Sequence, residues 1–292
     1  MNHDNTQKEL RALISMLDEP DNKAFGFIRN QIFAYGSDAI PTLEEVWENT
    51  FDNMLQERIE DMIHHIQQDT LFHELNNWVN FENADLAKGC YLVSRFHYPI
   101  LKQEIITTAI ARLRIDTWLE LSDELTALEK IKVLNHILFS VRKFKGIINE
   151  EGNPRLTLIN MLLENHKGDA ISLGALYIIL AQSLDLPVFG VDIPQHFILA
   201  FMRRPIDEKK PFRDASEVLF YINPFQKGSV FTIKQIEHYL KQVNVDMQPS
   251  HFLPCNNKII IQRMMAEMLQ SYSISGKEEM ARELQALMKA LE

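Results

Sequence analysis

The chain has 292 residues, of which 46% are hydrophobic and 24% charged, and its net charge at pH 7 is −10. These proportions are typical of a globular protein with one large domain or two smaller ones. The negative charge would repel a phosphate backbone, and no cluster of Lys and Arg offsets it. Nucleic acid is therefore not the expected partner.

The sequence also lacks the usual signs of a membrane, exported or cofactor-binding protein. No apolar run approaches the ~18 residues of a transmembrane helix, and the N-terminal stretch MNHDNTQKEL is too polar for a signal peptide. Cys90 and Cys255 lie far apart, so two reduced structural thiols are expected. With no CxxC, HExxH, Walker A or GxGxxG string, we expect neither a metal nor a cofactor, in a cytoplasmic protein without a membrane partner.

The first part of the chain is predicted to be helical throughout. In the stretch QERIEDMIHHI, the apolar residues Ile59, Met62, Ile63 and Ile66 recur at helical spacing on one face. Similar patterns continue to about residue 150, and no strict alternation interrupts them. We therefore expect an all-helical region over residues 1–125.

Residues 20–68 are predicted to form a helix–turn–helix unit. Ser37 and Asp38, placed shortly before Pro41, are typical of a helix start. The spacing resembles a HEAT-type repeat, whose helix pairs stack because one pair cannot bury its own apolar face. A compact helical domain is the alternative.

The pattern changes near residue 145. The stretch DAISLGALYIILAQSL is apolar on nearly all sides, which predicts a central buried helix with Asp169 as its N-cap. The runs PVFGVDIP, HFILAFM and VLFYINPF are rich in β-branched and aromatic residues, and a charged loop at residues 205–217 separates the last two. We expect an antiparallel sheet packed on the buried helix.

The chain returns to helix after the strands. TIKQIEHYLKQV predicts one helix, and residues 256–291 predict a helical hairpin broken at SISG. Helices that come first and strands that cluster late indicate the α+β class. The expected parts are residues 1–125, a core at 126–245 and a C-terminal hairpin at 246–292.

Three residues of the core have the types and the chain order of a catalytic triad. Ser172 lies in the first turn of the central helix, where unsatisfied N–H groups stabilise an anion. His196 begins the second predicted strand after this helix, and Asn223 lies at the end of the third. If these two strands are neighbours, the asparagine can orient the imidazole as a third triad member does.

Each of these residues also has an ordinary structural explanation. Ser172 is a common first-turn residue, His196 can be a satisfied core histidine, and Asn223 before proline suits a turn. Three further residues, His166, Asp169 and Gln195, are expected to line the same cleft, although His166 also fits a solvated helix end.

The motifs of this core resemble those of the transglutaminase-like superfamily, and most closely its bacterial SirB-type branch. They are GDAISL at the helix start, LPVFGV in the first strand, PQHF at the turn and YINPF at the end of the third strand. Relatives in that branch show proline where Ala170 stands, glycine at Gln195 and aspartate at Asn223. The C-terminal hairpin is similar to the tetratricopeptide-like tail of the branch.

The resemblance implies a papain-like core with one central helix on an antiparallel sheet. Active members of the superfamily carry cysteine, histidine and Asp or Asn at the positions of Ser172, His196 and Asn223. The SirB-type branch commonly has serine at the first position. A serine hydroxyl does not ionise as a thiol does and needs concerted removal of its proton by a base.

Two functions therefore remain open. The first is a non-catalytic scaffold or binding module for a protein or peptide, suggested by serine in place of cysteine. The second is a weak hydrolase or acyl transferase that uses Ser172, His196 and Asn223.

Overall fold

The structure, a computed structural model, describes residues 2–19, 21–81, 84–203 and 215–292. Most of the charged loop at 205–217 lies outside the described residues. The chain separates into two compact units, Met1–Glu74 and Leu75–Glu292. Of the helices in the described residues, none is at once long enough and apolar enough to span a bilayer.

The first unit is helical. Its helices are α1 (Asn2–Ile14), α2 (Asn22–Phe33), α3 (Ile40–Asn49) and α4 (Asn53–Asn80), the last of which continues into the second unit. The predicted face of α4 is buried, since Ile59, Met62 and Ile66 belong to the core of this unit. The HEAT-like pairing of these helices stays a prediction.

The turn before α3 differs from its prediction. Ser37 and Asp38 lie in a short 3-10 turn, Gly36–Ala39, and α3 begins at Ile40 with Pro41 in its first turn and no side-chain cap. The preceding turn is itself helical, so the start of α3 does not depend on a capping side chain.

The second unit contains eight further α-helices and six strands in its described part. The helices are α5 (Leu86–His97), α6 (Gln103–Trp118), α7 (Ala127–Asn135), α8 (Ile159–Asn165), α9 (Ala170–Gln182), α10 (Ile233–Gln242), α11 (Asn257–Ile274) and α12 (Glu278–Met288). The strands are β1 (Lys145–Gly146), β2 (Lys167–Gly168), β3 (Val188–Ile193), β4 (His196–Met202), β5 (Val218–Asn223) and β6 (Ser229–Phe231).

The main sheet is antiparallel, in the order β3-β4-β5-β6. The helix α9 packs against β3 and β4, and residues 171–181 of this helix are all buried. α10 covers the opposite face of the sheet, where Ile236 and Leu240 join a core with Ile198 and Tyr221. This arrangement confirms the predicted α+β class with a central helix on an antiparallel sheet.

Two small strand pairings were not predicted. β1 and β2, of two residues each, form a parallel pair, and β6 adds a fourth strand of three residues to the main sheet. Runs this short carry no periodic pattern that marks a strand.

The outer edge of β3 is paired at one residue with a later segment of the chain. The backbone N–H of Cys255 donates to the carbonyl of Gly190 at 2.8 Å, just before α11 begins. α11 and α12 then form the predicted C-terminal hairpin. The division into parts at 1–125, 126–245 and 246–292 stays a prediction.

Candidate functional site

The start of α9 is held by Asp169. Its carboxylate accepts a hydrogen bond from the backbone N–H of Ser172 at 2.8 Å and a short one from the Thr157 hydroxyl. Burial raises the pKa of the Asp169 carboxyl to about 6, although the hydrogen bonds from Thr157 and Ser172 act in the opposite direction. The predicted N-cap is therefore present, in a site that disfavours the charged form.

The hydroxyl of Ser172 is enclosed. The residue is 0% exposed, and its Oγ donates to the carbonyl of Leu156 at 2.8 Å. A side chain at Gly168 would overlap this Oγ, so the backbone of the preceding strand lies directly against it. A peptide carbonyl is not a general base, and the enclosed oxygen leaves no space for a substrate.

His196 lies on the other face of the sheet from Ser172. Its ring is 4.7 Å from the ring of Tyr239 on α10. The next residue, Phe197, points the opposite way and contacts Gly174 of α9. Successive side chains of a strand alternate between faces, so the imidazole faces α10 while the helix start lies behind the sheet.

The environment of His196 also affects its proton. Partial burial against its neighbours, and then the positive charge of Arg263, lower the pKa of His196. The neutral imidazole is therefore the favoured form near pH 7. A neutral imidazole can act as a base, but the serine hydroxyl that it would serve is out of reach.

Asn223 is a turn residue. Its Oδ1 accepts a hydrogen bond from the backbone N–H of Gln226 at 3.2 Å. In the register of β4 and β5, Leu199 is opposite Ile222, and continuing it places Ile198 opposite Asn223. Although the strands are neighbours, no hydrogen bond joins any two of Ser172, His196 and Asn223, all of which are described. Their catalytic roles stay a prediction.

The remaining predicted residues lie in separate places. Gln195 occupies the two-residue turn between β3 and β4 with a φ of +63°, and it is exposed. His166 ends α8 with a φ of +56°, and its ring is 4.6 Å from that of Phe144. Asp169 is committed to the helix cap. The described contacts of these three residues do not define one common cleft.

The structure has a cavity of about 360 Å³ beside the β3–β4 turn that was not predicted. Its polar lining includes Asp192, His251, Cys255 and Arg263. Arg263 is 2.9 Å from the Glu267 carboxylate and 3.5 Å from that of Asp192. We call this cavity and its lining residues the β3–β4 cleft.

Burial raises the pKa of two groups that line the β3–β4 cleft. It raises the pKa of Asp192, and the Arg263 guanidinium only partly offsets this effect. Burial also raises the pKa of the Cys255 thiol to about 12, so this cysteine is not an activated nucleophile. Within the described residues, no group of three His, Cys, Asp or Glu side chains is arranged to hold a metal ion.

One sequence signal for the β3–β4 cleft was available. Arg263 and Glu267 are spaced i, i+4 on a predicted helix, which is typical of an ion pair on one helix face. That this pair would face Asp192 depends on how α11 crosses the sheet edge. Sequence spacing alone does not give that packing.

Comparison with known proteins agrees with the fold. Residues 104–266, more than half of the chain, match the family described as the transglutaminase-like superfamily. F-box only protein 21 of Mus musculus is 26% identical over 162 residues, which are 56% of this chain and 24% of that protein. No solved structure gives a significant match.

Bacterial relatives match over a similar region. A UPF0162 protein of Xylella fastidiosa (strain 9a5c) is 28% identical over 166 residues, or 52% of this chain and 56% of that protein. A UPF0162 protein of Vibrio cholerae serotype O1 is 24% identical over 193 residues, or 64% and 66%. The chain thus spans from about a quarter to just under two thirds of the length of these relatives. On the strength of the family match, the chain belongs to the transglutaminase-like superfamily.

Proposed function

We propose that this protein is a non-catalytic binding module built on a transglutaminase-like core. The observation that carries the proposal is the position of Ser172. Its hydroxyl is enclosed and donates to a carbonyl, while the imidazole of His196 lies on the opposite face of the sheet. For the two to react, the helix start would have to open and the β3–β4 hairpin would have to turn over.

The finer family assignment is part of this proposal. The motifs around Ser172, His196 and Asn223 favour the SirB-type branch, in which serine replaces the cysteine of active superfamily members. The proposal includes HEAT-like helix pairs in the N-terminal region, a tetratricopeptide-like tail and a cytoplasmic location. Helical repeats of these kinds commonly present binding surfaces to other proteins.

A protein or peptide is the partner that this module fits. The β3–β4 cleft offers the Arg263 guanidinium, which Glu267 holds in place, together with the Asp192 carboxylate and apolar walls. These groups suit a peptide segment with charged and apolar side chains. The net charge of −10 argues against nucleic acid. In F-box only protein 21 the matched region is 24% of the protein, which supports a module that also occurs within larger chains.

Absence of catalysis is tested with acyl substrates. Hydrolysis of an activated ester and transfer from a glutamine-containing peptide to an amine are measured for wild type, Ser172→Ala and His196→Ala. Ser183→Ala, at the other end of α9, is the matched control. We expect no turnover that depends on Ser172 or His196. Activity that both variants lose and Ser183→Ala retains would establish the alternative, a weak hydrolase or acyl transferase with a Ser-His-Asn triad.

Binding is tested with a displayed peptide library selected on the wild-type protein. Selected peptides are then titrated against Arg263→Gln, which alters the β3–β4 cleft, and against Lys234→Gln, which removes an exposed cation on α10. We expect Arg263→Gln to weaken binding at least tenfold and Lys234→Gln to leave it unchanged. Equal binding by both variants would place the binding surface elsewhere.

A further inference from the structure

The first unit contains a groove between α2 and α4 that lies outside the transglutaminase-like region. It encloses about 390 Å³, and its lining includes Phe25, Arg29, Phe33, Arg58, Asp61 and His65. We call it the arginine groove. Residues 1–74 contain fifteen acidic and five basic residues, and two of the five basic residues line this one groove. The groove therefore places two positive charges together in a unit that is otherwise strongly acidic.

Arg58 is fixed in position by the protein. Its Nη1 donates to the carbonyls of Leu17 at 2.8 Å and Glu19 at 3.0 Å. Its guanidinium also lies 4.2 Å from the centre of the Phe25 ring. The Nε and Nη2 groups donate no hydrogen bond to the described residues. A guanidinium that is held at one end and has free donors at the other is preorganised to bind an anion.

Arg29 supplies a second cation. It is exposed, and its guanidinium lies 5.7 Å from the centre of the Phe33 ring, on which His65 also stacks at 4.4 Å. No described carboxylate forms an ion pair with Arg29, although the unit is strongly acidic. Asp61 is the acidic residue of the lining and offsets one of the two positive charges.

We propose that the arginine groove binds a small molecule that carries a phosphate group. Two guanidiniums provide the forked donors that a phosphate accepts, and the aromatic walls lower the local dielectric constant and strengthen the attraction. A phosphate, which carries up to two negative charges near pH 7, is attracted to two arginines more strongly than a singly charged carboxylate is. Asp61 repels either anion, but two arginines and one aspartate leave the groove with a net positive charge. The doubly charged ligand is therefore attracted more strongly than the singly charged one. This site is independent of the proposed binding at the β3–β4 cleft.

The test uses inorganic pyrophosphate and inorganic phosphate as probes, with acetate as the carboxylate comparison. Binding to the full chain is measured by isothermal titration calorimetry at constant ionic strength. Wild type is compared with Arg29→Gln, Asp61→Asn and Lys23→Gln. Lys23 is an exposed cation on the same helix as Arg29 but outside the lining, so Lys23→Gln controls for net charge. Arg58 is left in place because it also bonds the chain after α1.

We expect wild type to bind pyrophosphate and phosphate more tightly than acetate. Arg29→Gln should weaken pyrophosphate binding at least tenfold, and Asp61→Asn should strengthen it several-fold. Lys23→Gln should change it less than twofold. No binding of either phosphate probe at tens of millimolar would overturn the proposal. So would equal losses in Arg29→Gln and Lys23→Gln, because these would show only a general charge effect.

Discussion

Asp169 should make the stability of the second unit depend on pH. Burial raises the pKa of its carboxyl from 3.8 to about 6 in the folded protein. As pH rises, an unfolded chain releases this proton near pH 3.8, whereas the folded chain keeps it to about pH 6. The contribution to stability is therefore fully present below pH 3.8 and is lost as pH rises through about 6. A difference of about two pKa units corresponds to roughly 3 kcal/mol.

The assay is urea unfolding of wild type and Asp169→Asn between pH 4 and 7. Asparagine keeps an acceptor for the Ser172 N–H but does not titrate. We expect the free energy of unfolding of wild type, minus that of the variant, to fall by about 2–3 kcal/mol across this range. The control is Asp185→Asn, which removes an exposed carboxylate just beyond the other end of α9. A difference that is constant or rises with pH would refute the reasoning, because the hydrogen bonds from Thr157 and Ser172 would then outweigh burial.

Three further predictions concern packing and reactivity. Gly228→Ala should lower the free energy of unfolding by about 2–3 kcal/mol in urea, because φ is +73° and the new methyl would overlap Asn135. Gly276→Ala, with a similar φ of +69° but open space, should lower it by only about 1 kcal/mol, and equal losses would contradict the steric argument. Tyr177→Phe removes a 2.9 Å hydrogen bond to the Asn135 Oδ1 and should lower the free energy of unfolding by about 1–2 kcal/mol. No loss in urea would mean that water replaces the hydroxyl. The Cys255 thiol, whose pKa burial raises to about 12, should resist a thiol reagent at pH 8 until urea unfolds the chain, and rapid labelling would show that the cleft opens.

The sequence was sufficient to predict the central helix and the three longer strands. The helix has an apolar residue at nearly every position and an Asp169 cap, and prolines and charged residues bound the strands. These signals are local, so they do not depend on how the elements pack. The central helix on an antiparallel sheet follows from them because a helix that is apolar all round must be covered on every side.

The face on which His196 lies could not be predicted in the same way. After the histidine, every residue of β4 is buried, so the strand is apolar toward both α9 and α10. A strand with one wet face shows which residues point inward, but a strand that is buried on both faces shows no such alternation. A shift of one residue exchanges His196 and Phe197, and only the observed packing of Phe197 on Gly174 resolves the choice.

The β3–β4 cleft was beyond sequence reasoning for a related reason. Asp192 and Arg263 are 71 positions apart, and their approach depends on the path of the chain between β3 and α11. Ser172 was located correctly at the helix start, but its enclosure was not foreseen. The carbonyl that accepts the hydrogen bond from its hydroxyl belongs to Leu156. Leu156 lies in a 3-10 turn whose position is set by tertiary packing.

The bond from the Cys255 N–H to the Gly190 carbonyl also bears on how copies of this protein behave toward one another. β3 is an edge strand of six residues, and a bare edge is a template on which another chain can pair. The opposite edge, β6, has only three residues, and short edges resist such pairing. Cys255 also lines the β3–β4 cleft. Displacing this segment from the sheet would therefore uncover a strand edge on which another copy of the chain can pair.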